Sequence, residues 1–261
     1  MQPTNPNGYA PVNGISMYYE IHGKGQPLVL IHGGGSSIHT SFGTLLPLLA
    51  RYYQVIAMDL QAHGHTSDRD APESFDQDAE DVIALMKYLG IPKAHVMGFS
   101  NGGNTAMMVA NKAPGLVDKL VVISAFYKRE GMIPGFFEGM GQATLEVMPE
   151  QLKSSYLAIN NDAKGLQNMF EKDRNRMATF QDWPEDILRS IQAPALVVVA
   201  DRDVMTAEHT LQMARLIPNA HLMILPGTHG SFIGEICSIV AGSKMPELFV
   251  EMVREFLVSE Q

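Results

Sequence analysis

Short apolar runs alternate with amphipathic segments along the first half of the chain. Runs rich in β-branched, aromatic and aliphatic residues predict six strands: 9–12, 15–21, 28–31, 55–58, 94–97 and 120–123. Apolar residues at helical spacing predict three helices: 41–52, 75–89 and 103–113. The first two strands form a predicted hairpin, and Ser74 with Gln77 forms a capping-box pair at the start of the second helix. The alternation of strand and helix predicts a mostly parallel sheet with helices on both faces.

The alternation stops near residue 126 and resumes near residue 192. The stretch between them predicts helices alone: 136–147, 149–159, 166–180 and 184–190. Beyond it the pattern predicts strands 195–200 and 220–225, which bring the sheet to eight strands, and helices 208–216 and 246–258. We therefore expect a core of residues 1–126 and 192–261, with a helical cap or lid inserted as residues 127–191.

Composition and charge exclude several classes of protein. Hydrophobic residues make up 46% of the 261 positions, which predicts a sizeable core. A net charge of −9 argues against a nucleic-acid partner, and Cys237 is the single cysteine, so no intrachain disulfide can form. We expect no membrane span, because no apolar run approaches about 20 residues.

The first eight residues are polar and lack the pattern of a signal peptide. They predict a cytoplasmic protein, or a periplasmic or secreted one if a signal peptide has been removed. We expect a monomer or a homodimer.

A nucleophile motif lies at the end of the fifth predicted strand. Gly98-Phe99-Ser100-Asn101-Gly102 has the G-x-S-x-G pattern, in which a serine occupies a sharp turn from strand to helix. We expect strained backbone at Ser100, and a Cβ at either glycine would collide with the neighbouring strand or helix. The helix N-terminus favours negative charge that develops nearby.

A nucleophilic serine needs a base and an acid that orients the base. Functional groups in parallel sheets collect at the carboxyl ends of strands. His229 directly follows the last strand, whereas His209 and His221 begin other elements and His95 lies inside a strand as an expected core histidine.

Two aspartates follow the strand 195–200 and compete for the role of the orienting acid. We favour Asp203, because this carboxylate usually lies a few residues beyond the strand end. Asp201 stays open, with a turn or a pairing with Arg202 as its structural explanation.

The combined motifs resemble the α/β-hydrolase fold superfamily over nearly the whole chain. The order Ser100, Asp203, His229 matches the family's Ser-Asp-His order. The segment 32–34 resembles the family's oxyanion loop, and the segment 59–66 resembles its D-x-R-G-x-G-x-S loop, with Gln61 and Ala62 in place of Arg and Gly.

The resemblance implies an oxyanion hole made by the backbone N–H groups of Gly34 and Asn101, with Gly35 as a weaker candidate for the first donor. The histidines His63 and His65 lie near Asp59 and could suggest a metal site. The family loop explains the same residues without a metal, so we expect neither a metal nor a cofactor.

We therefore predict a serine hydrolase that cleaves small, largely apolar carboxylic esters through an acyl-serine intermediate. The alternatives are a C–C bond hydrolase or an acyltransferase with the same triad, and a hydrolase-like receptor for a small molecule. Large apolar side chains of the cap are expected mainly to pack, while some line the space above Ser100: Phe136, Phe137, Met140, Met148, Tyr156, Met169, Phe170 and Trp183.

Overall fold

One twisted sheet forms the centre of the computed structural model, which describes residues 7–259. Most of the polar start of the chain, residues 1–6, therefore lies outside the described residues. The strands are β1 Asn7–Val12, β2 Ile15–His22, β3 Pro27–Ile31, β4 Gln54–Met58, β5 Ala94–Phe99, β6 Val117–Ile123, β7 Ala195–Arg202 and β8 Ala220–Thr228.

The strand order is β1-β2-β4-β3-β5-β6-β7-β8. Strand β2 is antiparallel to both of its neighbours, and every pair from β4 to β8 is parallel. The sheet is thus eight-stranded and mostly parallel, as the sequence pattern predicts. The chain places β4 on one side of β3 within the sheet, and then places β5 on the other side of β3. Loops that follow β3 and β5 therefore flank a crevice, where ligands of such sheets bind.

The α-helices within the described residues are α1 Ile38–Phe42, α2 Leu45–Leu49, α3 Phe75–Tyr88, α4 Asn101–Lys112, α5 Phe136–Gln142, α6 Glu150–Asn160, α7 Ala163–Ala178, α8 Glu185–Arg189, α9 Ala207–Leu216 and α10 Met245–Val258. None of the helices in residues 7–259 is long and apolar enough to cross a membrane.

The single helix predicted over residues 41–52 is wrong, because two short helices, α1 and α2, cover this region. Pro47 has no N–H with which to bond the carbonyl of Gly43, so a continuous helix would lack a hydrogen bond there. Half of the predicted capping-box pair at α3 is present: the Ser74 hydroxyl accepts the N–H of Gln77 at 3.1 Å, whereas the Gln77 side chain donates to Asp81 Oδ1 at 3.0 Å.

The parallel strands are apolar on both faces because helices cover both. Val29 and Ile31 pack in the core cluster beneath α3, α4 and α9, whereas Leu28 and Leu30 pack beneath α1, α2 and α10. All four side chains are fully buried. This arrangement explains the unbroken apolar run in the sequence.

The regular elements between β6 and β7 are helical, in agreement with the sequence pattern. Aromatic rings attach this region to the core, with Phe180 lying 4.8 Å from Phe126 and 6.2 Å from Phe75 between ring centroids. A smaller apolar cluster joins Met148 and Leu152 to Ala62 of the core. The division of the chain into a core and a separate cap stays a prediction.

Gly102 is fixed by close backbone packing at the turn after β5. A Cβ at Gly102 would overlap the carbonyl oxygen of Ile31, and a Cβ at Gly98 would overlap that of Gly102. Backbone atoms cannot move aside as a side chain does.

We expect Gly102→Ala to destabilise the protein by about 3 kcal/mol or more, measured as a loss of free energy of unfolding in urea. Gly139→Ala, in α5 with open space around it, is the control and should stabilise by up to about 1 kcal/mol. Equal effects of the two substitutions would contradict the steric argument.

Candidate active site

Ser100 lies at the turn between β5 and α4, in a backbone conformation that L-residues rarely adopt. Its φ is 55° and its ψ is −124°. The Ser100 N–H donates to the carbonyl of Ile123 at 2.8 Å, which holds the turn against β6. The strain predicted from the flanking glycines is therefore present, and the turn directs the hydroxyl toward the crevice at the carboxyl ends of the strands.

His229 connects Ser100 to Asp203. Its Nε2 lies 3.2 Å from Ser100 Oγ, and its Nδ1 lies 2.7 Å from Asp203 Oδ1. The ring of Phe99 lies 4.8 Å from the imidazole, at an interplanar angle of 36°. Because a carboxylate can only accept, the geometry assigns the proton to Nδ1 and leaves Nε2 free to accept the proton of Ser100.

Asp203 is buried and held by several donors. Its Oδ1 also accepts the N–H of Val204 at 2.7 Å, and its Oδ2 accepts the hydroxyl of Ser124 at 2.6 Å. Burial alone would raise the pKa of Asp203, but the hydrogen bond and charge of His229 outweigh burial and keep the pKa below its usual value. The side chain therefore stays a carboxylate.

Of the two competing aspartates, the structure brings Asp203 to His229. The Asp203 side chain is 0% exposed, whereas that of Asp201 is 51% exposed and accepts the N–H of Gly227 at 2.7 Å. Asp201 thus shapes the turn before His229.

The other candidate histidines have separate partners. His209 Nε2 accepts the N–H of Tyr127 at 3.1 Å, and burial lowers the pKa of His209 to about 4. His95 is buried within β5, with Asp118 3.4 Å away. His221 lies in β8, with the ring of Phe256 6.1 Å away.

The loop after β3 lies against the turn that carries Ser100. A Cβ at Gly33 would lie 3.2 Å from Ser100 Cβ, and a Cβ at Gly34 would overlap the amide of Asn101. His32 anchors the loop: its Nε2 accepts the N–H of Leu60 at 2.9 Å, so its Nδ1 donates to the carbonyl of Gly33 at 2.7 Å. Burial, with the nearby charge of His63, lowers the pKa of His32 to about 4 and keeps this ring neutral.

Gly35 does not offer a free donor to the crevice. Its N–H donates to the carboxylate of Asp173, with His63 Nε2 3.2 Å from the same nitrogen. This engagement favours Gly34 over Gly35 as the partner of Asn101 in an oxyanion hole.

The carboxylate of Asp59 holds the loop 59–66. Asp59 Oδ1 accepts the N–H of Ile38 at 2.9 Å, and Oδ2 accepts that of His65 at 2.9 Å. Gly64 approaches the carboxylate so closely that a Cβ would overlap it. Within residues 7–259, no group of three or more His, Cys, Asp or Glu side chains is placed to hold a metal.

A buried charge cluster on the other side of this loop has no signal in the sequence motifs. It joins His63 to Asp173 and Arg176 of α7, and to Glu73 and Asp78. The bonds are His63 Nε2 to Asp173 Oδ2 at 2.9 Å, Arg176 Nη1 to Asp78 Oδ2 at 2.6 Å, and an ion pair of Arg176 with Asp173. The motifs also miss Ser124, the hydroxyl donor to Asp203, although it directly follows β6, where site residues are expected.

An apolar cavity of about 330 Å³ opens beside Ser100 and His229. Among the large side chains expected in the cap, four line it: Phe136, Met140, Met148 and Phe170. Phe137 and Trp183 instead contact Phe126 and Phe75 in the core. The polar part of the lining includes Asp173.

Similarity to known proteins agrees with this arrangement. The profile of the alpha/beta hydrolase fold family matches residues 26–148. The serine hydrolase BPHL of Mus musculus is 34% identical over 234 residues, which are 84% of this chain and 78% of that protein. The dihydrolipoyllysine-residue acetyltransferase component of the acetoin cleaving system of Pseudomonas putida is 31% identical over 226 residues, 80% of this chain. The match spans 60% of that longer protein.

The fold is shared with solved structures. The crystal structure of a serine hydrolase involved in carbazole degradation, the CarC enzyme, superposes with a TM-score of 0.77 at 25% identity, covering 96% of this chain and 98% of that one. The sheet order, the serine turn and these similarities lead to one conclusion: the chain belongs to the α/β-hydrolase fold family of hydrolases.

Proposed function

We propose that this protein is a serine esterase that hydrolyses small, largely apolar carboxylic esters. The observation that carries the proposal is the hydrogen-bonded series from Ser100 Oγ through His229 to Asp203. The Ser100 end of this series lies at an apolar cavity. In this assignment Ser100 is the nucleophile, His229 is the general base and Asp203 orients the imidazole.

The reaction would proceed in two halves. Ser100 Oγ attacks the ester carbonyl carbon while its proton passes to His229 Nε2, and the carbonyl oxygen becomes an oxyanion facing the N–H groups of Gly34 and Asn101. The intermediate collapses, the alcohol leaves with the proton from His229, and an acyl-Ser100 remains. Water then gives a proton to His229 as it attacks the acyl carbon, and the acid is released as the bond to Ser100 Oγ breaks and His229 returns the proton to that oxygen. The scheme uses no metal or cofactor.

The cavity determines the kind of substrate that we propose. Its lining is mainly Met, Phe and aliphatic side chains, and its volume of about 330 Å³ lies at the small end of ligand pockets, which span roughly 300–1,000 Å³. Most of the lining residues come from residues 127–191, which act in this proposal as the cap above Ser100. An acyl chain of short to medium length would fill this space.

We expect hydrolysis of p-nitrophenyl esters to depend on acyl length, with kcat/KM rising from acetate to a short or medium chain and falling for long chains. Each methylene that enters the cavity contributes about 0.8 kcal/mol, or about fourfold. The measurement is kcat/KM across the series, together with covalent labelling of the enzyme by a fluorophosphonate probe.

A long chain that is cleaved as well as a medium one would contradict a limit on acyl length set by this small cavity. Absence of both turnover and labelling would reject the esterase and favour a receptor that holds a small apolar molecule. Labelling without ester turnover would favour C–C bond hydrolysis or acyl transfer with the same triad.

A further inference from the structure

Asp173 is a carboxylate from α7 that reaches into the site from the helical region. Its Oδ2 accepts the N–H of Gly35 and lies 2.9 Å from His63 Nε2, while its Oδ1 lies 3.4 Å from the side-chain nitrogen of Asn101. Asn101 carries one of the two proposed oxyanion donors. Gly35 directly follows Gly34, which carries the other. A single side chain thus contacts both loops that form the hole.

Two cations compensate the negative charge of Asp173. Arg176, one turn farther along α7, pairs with its Oδ1. His63 faces an acceptor at each nitrogen, since Nδ1 lies 2.7 Å from the carbonyl of Gln61 and Nε2 faces Asp173, so both nitrogens carry protons. The Gly35 N–H is therefore assigned to Asp173 and not to His63.

The protonation of the cluster follows the same geometry. Burial alone would lower the pKa of His63, but the charge and hydrogen bond of Asp173 outweigh burial and raise it to about 9. Burial and repulsion from Asp173 raise the pKa of Glu73 to about 8, which leaves this side chain largely protonated at pH 7. Arg176 and His63 overcome the effect of burial on Asp173 and keep its pKa well below the usual range.

This neutralisation matters because of where Asp173 lies. An uncompensated carboxylate beside an oxyanion hole would repel the charge that develops in the transition state. With Arg176 and the protonated His63 against it, Asp173 can hold Gly35 in place without opposing that charge. Engagement of the Gly35 N–H also fixes the peptide that follows Gly34.

We propose that Asp173 is a positioning residue that assembles the oxyanion hole when α7 is docked on the core. Its carboxylate fixes the loop 33–35 and the side chain of Asn101, and so aims the N–H of Gly34 at the developing oxyanion. This inference rests on the proposed serine-hydrolase function of the site. It makes the helical region part of the catalytic geometry and not only a cover for the substrate.

Asp173→Ala and Asp173→Asn test this role. We expect Asp173→Ala to lower kcat on the best p-nitrophenyl ester about 100-fold, with KM within about threefold, since loss of one oxyanion donor costs about 10²–10³ in kcat. Asp173→Asn retains one oxygen that can accept from Gly35, and should lower kcat about tenfold. If Asp173→Ala does not fold, Asp173→Asn alone decides. The control is Glu171→Gln, exposed on α7 and bonded to Gln167, which should match the wild type.

Two probes separate positioning from general damage. A trifluoromethyl ketone forms an oxyanion when Ser100 adds to it and gives its proton to His229, whereas a carboxamide of the same chain binds without reaction. We expect the Asp173 variants to lose affinity for the ketone by the same factor as kcat/KM, with affinity for the carboxamide within about threefold. Equal losses for both probes, or kcat within threefold of the wild type, would overturn the proposal.

Amide hydrogen exchange at Gly35 gives a readout that requires no turnover. Exchange should be faster in both Asp173 variants and unchanged in Glu171→Gln. Unchanged exchange at Gly35 would overturn the positioning role, whatever the enzyme hydrolyses. Faster exchange in a protein whose wild type does not react with esters or fluorophosphonate would support the positioning of the loop and reject the proposed esterase.

Discussion

Ser100→Ala is expected to abolish ester hydrolysis, with kcat falling by about 10⁴-fold or more. Removal of Oγ deletes the attacking atom, so that no acyl intermediate can form. Both donors of the proposed oxyanion hole are retained and can still bind substrate. KM should therefore change much less than kcat. The measurement is steady-state turnover of the best p-nitrophenyl ester, with fluorophosphonate labelling on the same preparations.

The matched control is Ser154→Ala, a serine on α6 whose hydroxyl donates to the carbonyl of Gln151 at the surface. It should be labelled and should turn over like the wild type. Turnover or labelling that survives in Ser100→Ala would reject Ser100 as the nucleophile. Ser100→Ala should also unfold near the wild-type temperature, or higher, because the substitution removes only the hydrogen bond between the Ser100 hydroxyl and His229.

Asp203→Asn is expected to lower kcat by about 10⁴-fold while the protein stays folded. An amide at this position can donate to His229 Nδ1, and the imidazole then carries its proton on Nε2. In that tautomer Nε2 cannot accept the proton of Ser100. Steady-state kinetics with the same ester measures the loss, and the thermal unfolding temperature reports on the fold.

Asp201→Asn, two residues earlier at the end of β7, is the matched comparison. An asparagine oxygen can still accept the N–H of Gly227, so kcat should stay within a few-fold of the wild type. The reverse result, in which Asp201→Asn abolishes activity and Asp203→Asn does not, would show that the acid has been assigned to the wrong carboxylate.

The sequence predicts the sheet and the position of the serine because both depend on local patterns. Buried parallel strands are continuous apolar runs, and a serine between two glycines at a strand end indicates one kind of turn. Gly98 and Gly102 show why: each lies against backbone atoms, and a side chain would overlap them. The same local reasoning predicts the cap of α3 at Ser74, which the structure confirms.

Local pattern is weaker where two nearby positions are chemically alike. Asp201 and Asp203 are both carboxylates after the same strand, and their sequence environment only favours the second. The structure separates them by burial and by the single contact with His229. Likewise, the break between α1 and α2 depends on the missing N–H of one proline within a run that otherwise has helical spacing.

The sequence by itself determined the strand pattern, the serine turn and the order of the candidate triad, since these follow from interactions between close neighbours in the chain. Only the tertiary structure decided that Asp173 contacts Gly35, that Ser124 donates to Asp203, and which side chains of the helical region line the cavity beside Ser100. Asp173 lies in a helix rich in charged residues, whose other carboxylate, Glu171, faces solvent. Its burial against His63 depends on how α7 docks across residues more than 100 positions away, and docking of that kind leaves no periodic signal in the chain.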